Sequence, residues 1–241
     1  MANKVTITIK KNSLGRIAPL CIGSGTFDSD AEFPAFVVQE IDKQVQACPQ
    51  PSQREDTGSW TGDVHQHAKL HHDTNFDQFF KRVYLAVGHY LGDVGINPHV
   101  FHYEVVRSWG TKTNLGEAIS PHAHEYCSLS LVYYPFASET DIFFELANHP
   151  NEVVPGIMTS ESYTSGVLST ESLDVSNTLA YTPKDDMYVI FPAKTKHYTR
   201  KSEEIEPRYS IAVDIYLTLK DSEDIESNMS PKETWRRLED F

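Results

Sequence analysis

The sequence is short of cysteine, short of positive charge and without any long apolar run. Its three cysteines, Cys21, Cys48 and Cys127, are odd in number and widely spaced along 241 residues. That pattern suits reduced thiols in a cytoplasm better than a disulfide framework. Lys and Arg number 21 against 34 Asp and Glu, a formal charge of −13. A chain so acidic repels phosphate backbones and anionic lipid, so neither nucleic acid nor membrane is expected as a partner. The basic cluster Lys194, Lys196, Arg200 and Lys201 can still override that sign locally for an anionic small molecule. No apolar segment approaches the length of a membrane span, and Met1-Ala2-Asn3-Lys4 lacks the apolar core of a signal peptide. Internal repeats and a convincing linker are missing too. A single domain over residues 1–241 is expected: an N-terminal strand and helices to 98, a β core over 99–219, and an acidic tail from 220.

What is present is alternation and two amphipathic segments. Val5, Ile7 and Ile9 alternate with threonines, which predicts a half-buried strand. Phe33, Phe36, Val37, Ile41 and Val45 recur at helical spacing, and the set from Phe76 to Leu91 marks a second helix. Thr74 or Asn75 is the expected N-cap of that helix and Gly92 its expected end. Strands are predicted over Val100–Trp109, Tyr126–Tyr134, Ile142–Leu146, Met187–Phe191 and Ser210–Leu219. In the first of these, Tyr103, Val105 and Trp109 are expected on one face. The polar stretch 147–186 suits a lid or an extra hairpin. Ser230-Pro231-Lys232-Glu233 resembles a capped helix start, with Trp235, Leu238 and Phe241 to follow. Many short strands flanked by helices imply a sandwich or jelly roll rather than a βαβ fold.

One pattern organises the rest. Pro121-His122-Ala123-His124 leads into the run Glu125 to Tyr134, His197 follows Phe191-Pro192-Ala193-Lys194-Thr195-Lys196, and Arg208-Tyr209-Ser210 lies beyond. A His-x-His pair on a strand edge, joined by one remote histidine, closes a triangular face and leaves the opposite positions open. That is the arrangement non-haem Fe(II) needs to take a co-substrate and O₂ together. Structural zinc would want four closed ligands, and no cysteine has that spacing. Exposed loop histidines are the competing reading. A second cluster, His65, His67, His71 and His72, has no strand pattern behind it and is expected to be structural or exposed. On the last strand Arg208, Ser210, Ala212 and Asp214 share the polar face, while Ile211, Val213, Ile215, Leu217 and Leu219 point the other way. An inward guanidinium calls for a carboxylate, from the protein or from a bound dicarboxylate; a surface pair with Glu204 or Glu206 is the alternative.

Taken together, Ser108-Trp109, the His-x-His pair, Ser130-Leu131-Val132-Tyr133-Tyr134, Phe143-Phe144-Glu145, Val189-Ile190-Phe191-Pro192, His197 and Arg208-Tyr209-Ser210 carry a resemblance. From Gly58 to Leu219 the chain resembles the 2-oxoglutarate-dependent Fe(II) oxygenase superfamily, in the subgroup with an HxH motif. The resemblance implies a mainly β double-stranded β-helix, a cupin-like jelly roll with flanking α-helices. It implies Fe(2+) held by His122, His124 and His197, with 2-oxoglutarate and O₂ as co-substrates. Arg208 and Ser210 would bind the distal carboxylate, with Tyr134 and Ser130 as further co-substrate contacts. Trp60, Tyr103 and Ser128 are candidate substrate contacts. His124 departs from the superfamily, which has Asp or Glu there; Glu125 is the alternative ligand, although on a strand it faces the opposite side.

The implied reaction is hydroxylation of an unactivated C–H bond in a small metabolite, such as an amino acid or a biosynthetic intermediate, with release of succinate and CO₂. Two competitors stand beside it: a 2-oxoglutarate-independent three-histidine iron dioxygenase, and a non-catalytic jelly-roll module that binds a ligand or a metal. Lid candidates are Gly58 to Asp63 and the stretch 147–186.

Overall fold

The computed structural model describes residues 20–48, 58–146 and 176–220, with a few positions between 154 and 169 and at 239. Among the described residues, ten strands form two antiparallel sheets. The larger has the order β1 (Gly23–Thr26), β8 (Met187–Pro192), β5 (Leu129–Tyr134), β10 (Arg208–Leu219), β3 (Phe101–Thr113) and β2 (Trp60–Thr61). The smaller has the order β4 (Ile119–His122), β9 (Lys196–Thr199), β6 (Ile142–Glu145) and β7 (Thr178–Tyr181). The fold is the expected jelly roll with flanking helices. The expected N-terminal strand over Val5–Ile9 and the C-terminal helix lie outside the described residues.

Alternation decides what each face of the larger sheet covers. Leu129, Leu131 and Tyr133 of β5 and Ile211, Val213, Ile215 and Leu217 of β10 point outward, against α1 (Glu32–Ala47) and α2 (Asp77–Asp93). Val37 and Ile41 of α1 and Phe79, Val83, Val87 and Leu91 of α2 complete this core. The other face meets the smaller sheet through Val132, Tyr134, Ile142, Phe144, Val189 and Phe191. Helix α1 is pinned to the sheet by Lys112 and the Tyr209 hydroxyl, both on the Asp42 carboxylate, at 2.6 and 3.0 Å.

Several expectations shift. The stretch 147–186 contains β7, which pairs with β6, so its end forms half of an added ladder. Helix α2 is preceded by a short 3₁₀ turn, Thr74–Phe76, capped by Asp73 rather than by Thr74 or Asn75. It runs past Gly92 and stops at Gly95, whose φ of +83° suits glycine. The Ile96 and Gly95 amides return to the carbonyls of Leu91 and Gly92, a Schellman ending. In β3, Arg107 pairs with Asp214 and Val105 with Ile215, which leaves Val106 as a bulge. One extra residue reverses the alternation. Tyr103 and Val105 therefore face the helices, and Arg107, Trp109 and Thr111 face the other sheet.

Close approach of α1 to β3 depends on Gly110, where an added Cβ would stand 2.6 Å from Ile41 Cγ1. Gly110→Ala is expected to lower unfolding free energy by about 1–3 kcal/mol, as overpacking does. Urea denaturation checks this, and in the double variant Gly110→Ala/Ile41→Ala, which removes the clashing Cγ1, the loss should be smaller than the sum of the two single variants.

Candidate metal centre

His122 closes β4, and its partner across the ladder is His197 of β9. Opposite residues of an antiparallel pair present their side chains on one face, and here the ring centroids are 4.3 Å apart. His124 comes two residues later, after the strand has ended, with its amide on the Ala193 carbonyl at 2.9 Å. Its ring centroid is 5.1 Å from each of the other two. The pair thus ends a strand of the smaller sheet rather than opening β5, which begins only at Leu129 after a turn through Glu125 to Ser128.

Ligand atoms of His122, His124 and His197 all lie within 4.8 Å of one another. In each ring Nδ1 faces an oxygen that only accepts: the Ser120 carbonyl at 2.8 Å for His122, the Thr195 carbonyl at 2.9 Å for His197, and the Asp214 carboxylate for His124. Nδ1 must therefore carry the proton in all three. The three Nε2 atoms are left with lone pairs, and that of His124 is buried without a partner. Burial disfavours the charged rings. It draws His197 down to about 3, with neighbouring His122 adding to the shift, and it lowers His122 as well. Three imidazoles that converge with Nδ1 turned to oxygen acceptors fit a divalent cation on Nε2.

Aromatic walls hold these rings. Trp109 stacks on His124 with centroids 5.7 Å apart, and Phe191 meets His197 edge-on at 4.8 Å. Asp214, 1% exposed, accepts from His124 on one oxygen and from Arg107 Nε and Nη2 on the other, at 3.0 and 2.6 Å. Burial alone would raise its pKa, but the bonds from His124 and Arg107 outweigh this and keep the carboxyl ionised. Cys127 lies near both His124 and Asp214. Burial pushes its thiol up to about 12, so it stays protonated and is a poor ligand.

A cavity of about 920 Å³ opens beside the imidazoles and is also lined by Arg208, Ser210 and Tyr134. Arg208 is 4% exposed. Its Nη1 donates to the Thr140 carbonyl at 3.4 Å, Nε has no partner among the described residues, and Tyr134 offers its ring face at 5.9 Å. Glu204 is near enough to act on Arg208 electrostatically, but its Oε1 accepts from the Ser138 hydroxyl and from the Thr140 amide and hydroxyl, and no ion pair joins it to Arg208 among the described residues.

The other sequence candidates fall elsewhere. Ser130 shares the inner face of β5 but is fully buried, and it does not line the cavity. Tyr103 is turned to the helices by the Val106 bulge and donates to the Pro98 carbonyl at 2.8 Å. Ser128 lies in a separate depression on the far side of the turn, where its hydroxyl accepts from the Leu217 amide. Exposed Glu125 lines that same depression and is no part of the imidazole group. Trp60 is a core residue whose ring supports His65 at 5.6 Å, so His65 and not Trp60 reaches the cavity wall. Histidines 65, 67, 71 and 72 join no group of converging ligand atoms among the described residues. The sequence gives no sign of Arg107 or of Asp63, which accepts from Arg107 Nη1 at 3.4 Å on the cavity wall, and none of the role of Asp214, although the spacing Arg-x-Ser-x-Ala-x-Asp on β10 already puts Asp214 on the inner face.

Residues 107–214 match the family model described as "Putative 2OG-Fe(II) oxygenase". The matched stretch spans less than half of the chain. It contains His122, His124, His197 and Arg208, and the fold agrees. The non-heme alpha ketoglutarate dependent epimerase SnoN from nogalamycin biosynthesis is similar at a TM-score of 0.54 and 9% identity, over 84% of this chain and 82% of that one. EvdO2 from Micromonospora carbonacea var. aurantiaca gives 0.51 and 12%, over 83% and 87%. AviO1 from Streptomyces viridochromogenes Tue57 gives 0.51 and 4%, over 82% and 90%. At these identities the likeness is one of fold. No curated protein matches the sequence.

The depressed His197 pKa has a consequence for the stability of the metal-free protein. Between pH 6.5, the ordinary imidazole value, and about 3, the unfolded chain binds a proton that the folded chain refuses. Stability is therefore expected to fall as pH drops through that window. His197→Phe should flatten the slope, measured by chemical denaturation across pH in the presence of a chelator.

Proposed function

We propose that this protein is an Fe(II)/2-oxoglutarate-dependent dioxygenase that hydroxylates an unactivated C–H bond of a small metabolite in the cytoplasm. His122, His124 and His197 hold the metal from one face through Nε2. Arg208 anchors the far carboxylate of 2-oxoglutarate, and Ser210, next but one on the same face of β10, adds a hydroxyl. Burial pushes the Tyr134 phenol up to about 12, so it remains a proton donor beside that carboxylate. Trp109, Phe144 and Phe191 keep water from the imidazoles. When bound, iron and 2-oxoglutarate would supply the oxidising chemistry, in which O₂ and the diacid become succinate and CO₂ as a substrate C–H becomes C–OH.

The observation that carries this reading is Arg208. A guanidinium buried without a carboxylate costs several kcal/mol, and among the described residues no acid forms an ion pair with it. It lines the same cavity as the three imidazoles. A ligand that is at once a chelator and a diacid satisfies both. A three-histidine dioxygenase that binds its substrate directly, or a passive jelly-roll module, has no use for such an arginine. Halogenation would need an open ligand position for a halide, and hydroxylation is favoured over it because His124 fills that position.

Succinate formation with Fe(II), ascorbate and 2-oxoglutarate tests the proposal. Arg208→Ala removes two charge-assisted bonds of about 1.5–3 kcal/mol each, so KM for 2-oxoglutarate should rise about 100-fold or more while iron is retained. If the wild-type protein neither binds nor consumes 2-oxoglutarate, the reading fails.

A further inference from the structure

The third imidazole stands where the superfamily has a carboxylate, which leaves a metal face of three neutral donors. The structure contains the missing negative charge one bond further back. Asp214 is 1% exposed and sits on the inner face of β10, with one oxygen on Nδ1–H of His124 and the other on Arg107. The other two rings rest on neutral backbone carbonyls, those of Ser120 and Thr195. His124 alone is backed by an anion, and its outward Nε2 is buried without a partner.

We infer that Asp214 is a positioning residue that gives His124 the donor strength and the negative charge of the absent carboxylate ligand. A carboxylate behind an imidazole fixes the ring and its tautomer and draws the N–H bond toward itself, which raises electron density at the opposite nitrogen. The metal then meets two neutral imidazoles and one with anionic character, close to the charge balance of two histidines and a carboxylate. Arg107 moderates this, because its guanidinium shares the same carboxylate. It is partly exposed, at 46% of its side chain, and lines the cavity, so it also shields the buried charge from the cavity side.

The inference rests on the three-histidine reading, and the experiment separates the two. Co(II) binding to the purified full chain is measured by equilibrium dialysis, together with the visible ligand-field spectrum of the bound ion. Asp214→Asn keeps the shape and removes the charge. It should weaken Co(II) about 10–100-fold and shift the ligand-field bands. Arg107→Met leaves the whole carboxylate to His124, so affinity should hold or rise. A purely structural network would weaken in both variants. Should Asp214→Asn fail to fold, Arg107→Met still decides, since a tenfold loss of affinity there overturns the proposal. Unchanged affinity and spectrum in Asp214→Asn overturn it too, provided His122→Ala and His197→Ala lose the metal. If those two variants retain Co(II), the three-histidine site itself is wrong.

Discussion

Converging lone pairs in a confined, largely apolar space are the constraint on which this structure turns. Each imidazole donates its Nδ1 proton backward, to the Ser120 carbonyl, the Thr195 carbonyl or the Asp214 carboxylate. The Nε2 atoms must then face one another, and burial disfavours protonation of the His122 and His197 rings. A cation is the one partner that satisfies all three at once. Arg208 poses the opposite problem in the same cavity, a buried positive charge in no ion pair among the described residues. The two unmet demands are complementary to one chelating diacid and its metal.

The fold exists to hold those demands in register. His122 and His197 come from neighbouring strands of the smaller sheet, while Arg208, Ser210 and Asp214 come from one strand of the larger. His124 lies between them, just beyond the end of β4. Helices α1 and α2 cover the outer face of the larger sheet, so its inner face is free to carry polar groups. The bulge at Val106 lets β3 serve both purposes. Before it, Tyr103 and Val105 pack under the helices; after it, Arg107 and Trp109 reach the site. Without that extra residue, neither could support Asp214 and His124.

Strict alternation made β10 legible from sequence, and with it the inward direction of Arg208, Ser210 and Asp214. The same rule misplaced Tyr103, because a bulge leaves no mark in hydrophobic periodicity. Strands β4 and β9 were not foreseen as strands, since Ile119-Ser120-Pro121-His122 and Lys196-His197-Tyr198-Thr199 are short and polar. Their histidines were nevertheless singled out by residue type and spacing. The bond between Asp214 and His124 joins residues 90 positions apart, so it required the ladder pairings. Histidines 65 and 67 form the denser local cluster, yet they flank Trp60 and do not converge on a point, which spacing alone does not reveal.

The central claim is that one metal sits among three imidazoles and nowhere else in the histidine-rich surroundings. Crystals grown anaerobically with Fe(II), with diffraction collected on either side of the iron absorption edge, address it directly. The account expects a single anomalous peak about 2.0–2.2 Å from Nε2 of His122, His124 and His197, the usual range for imidazole on a first-row metal. A peak at His65 or His67, or iron-loaded crystals with no density among the three rings, would contradict it.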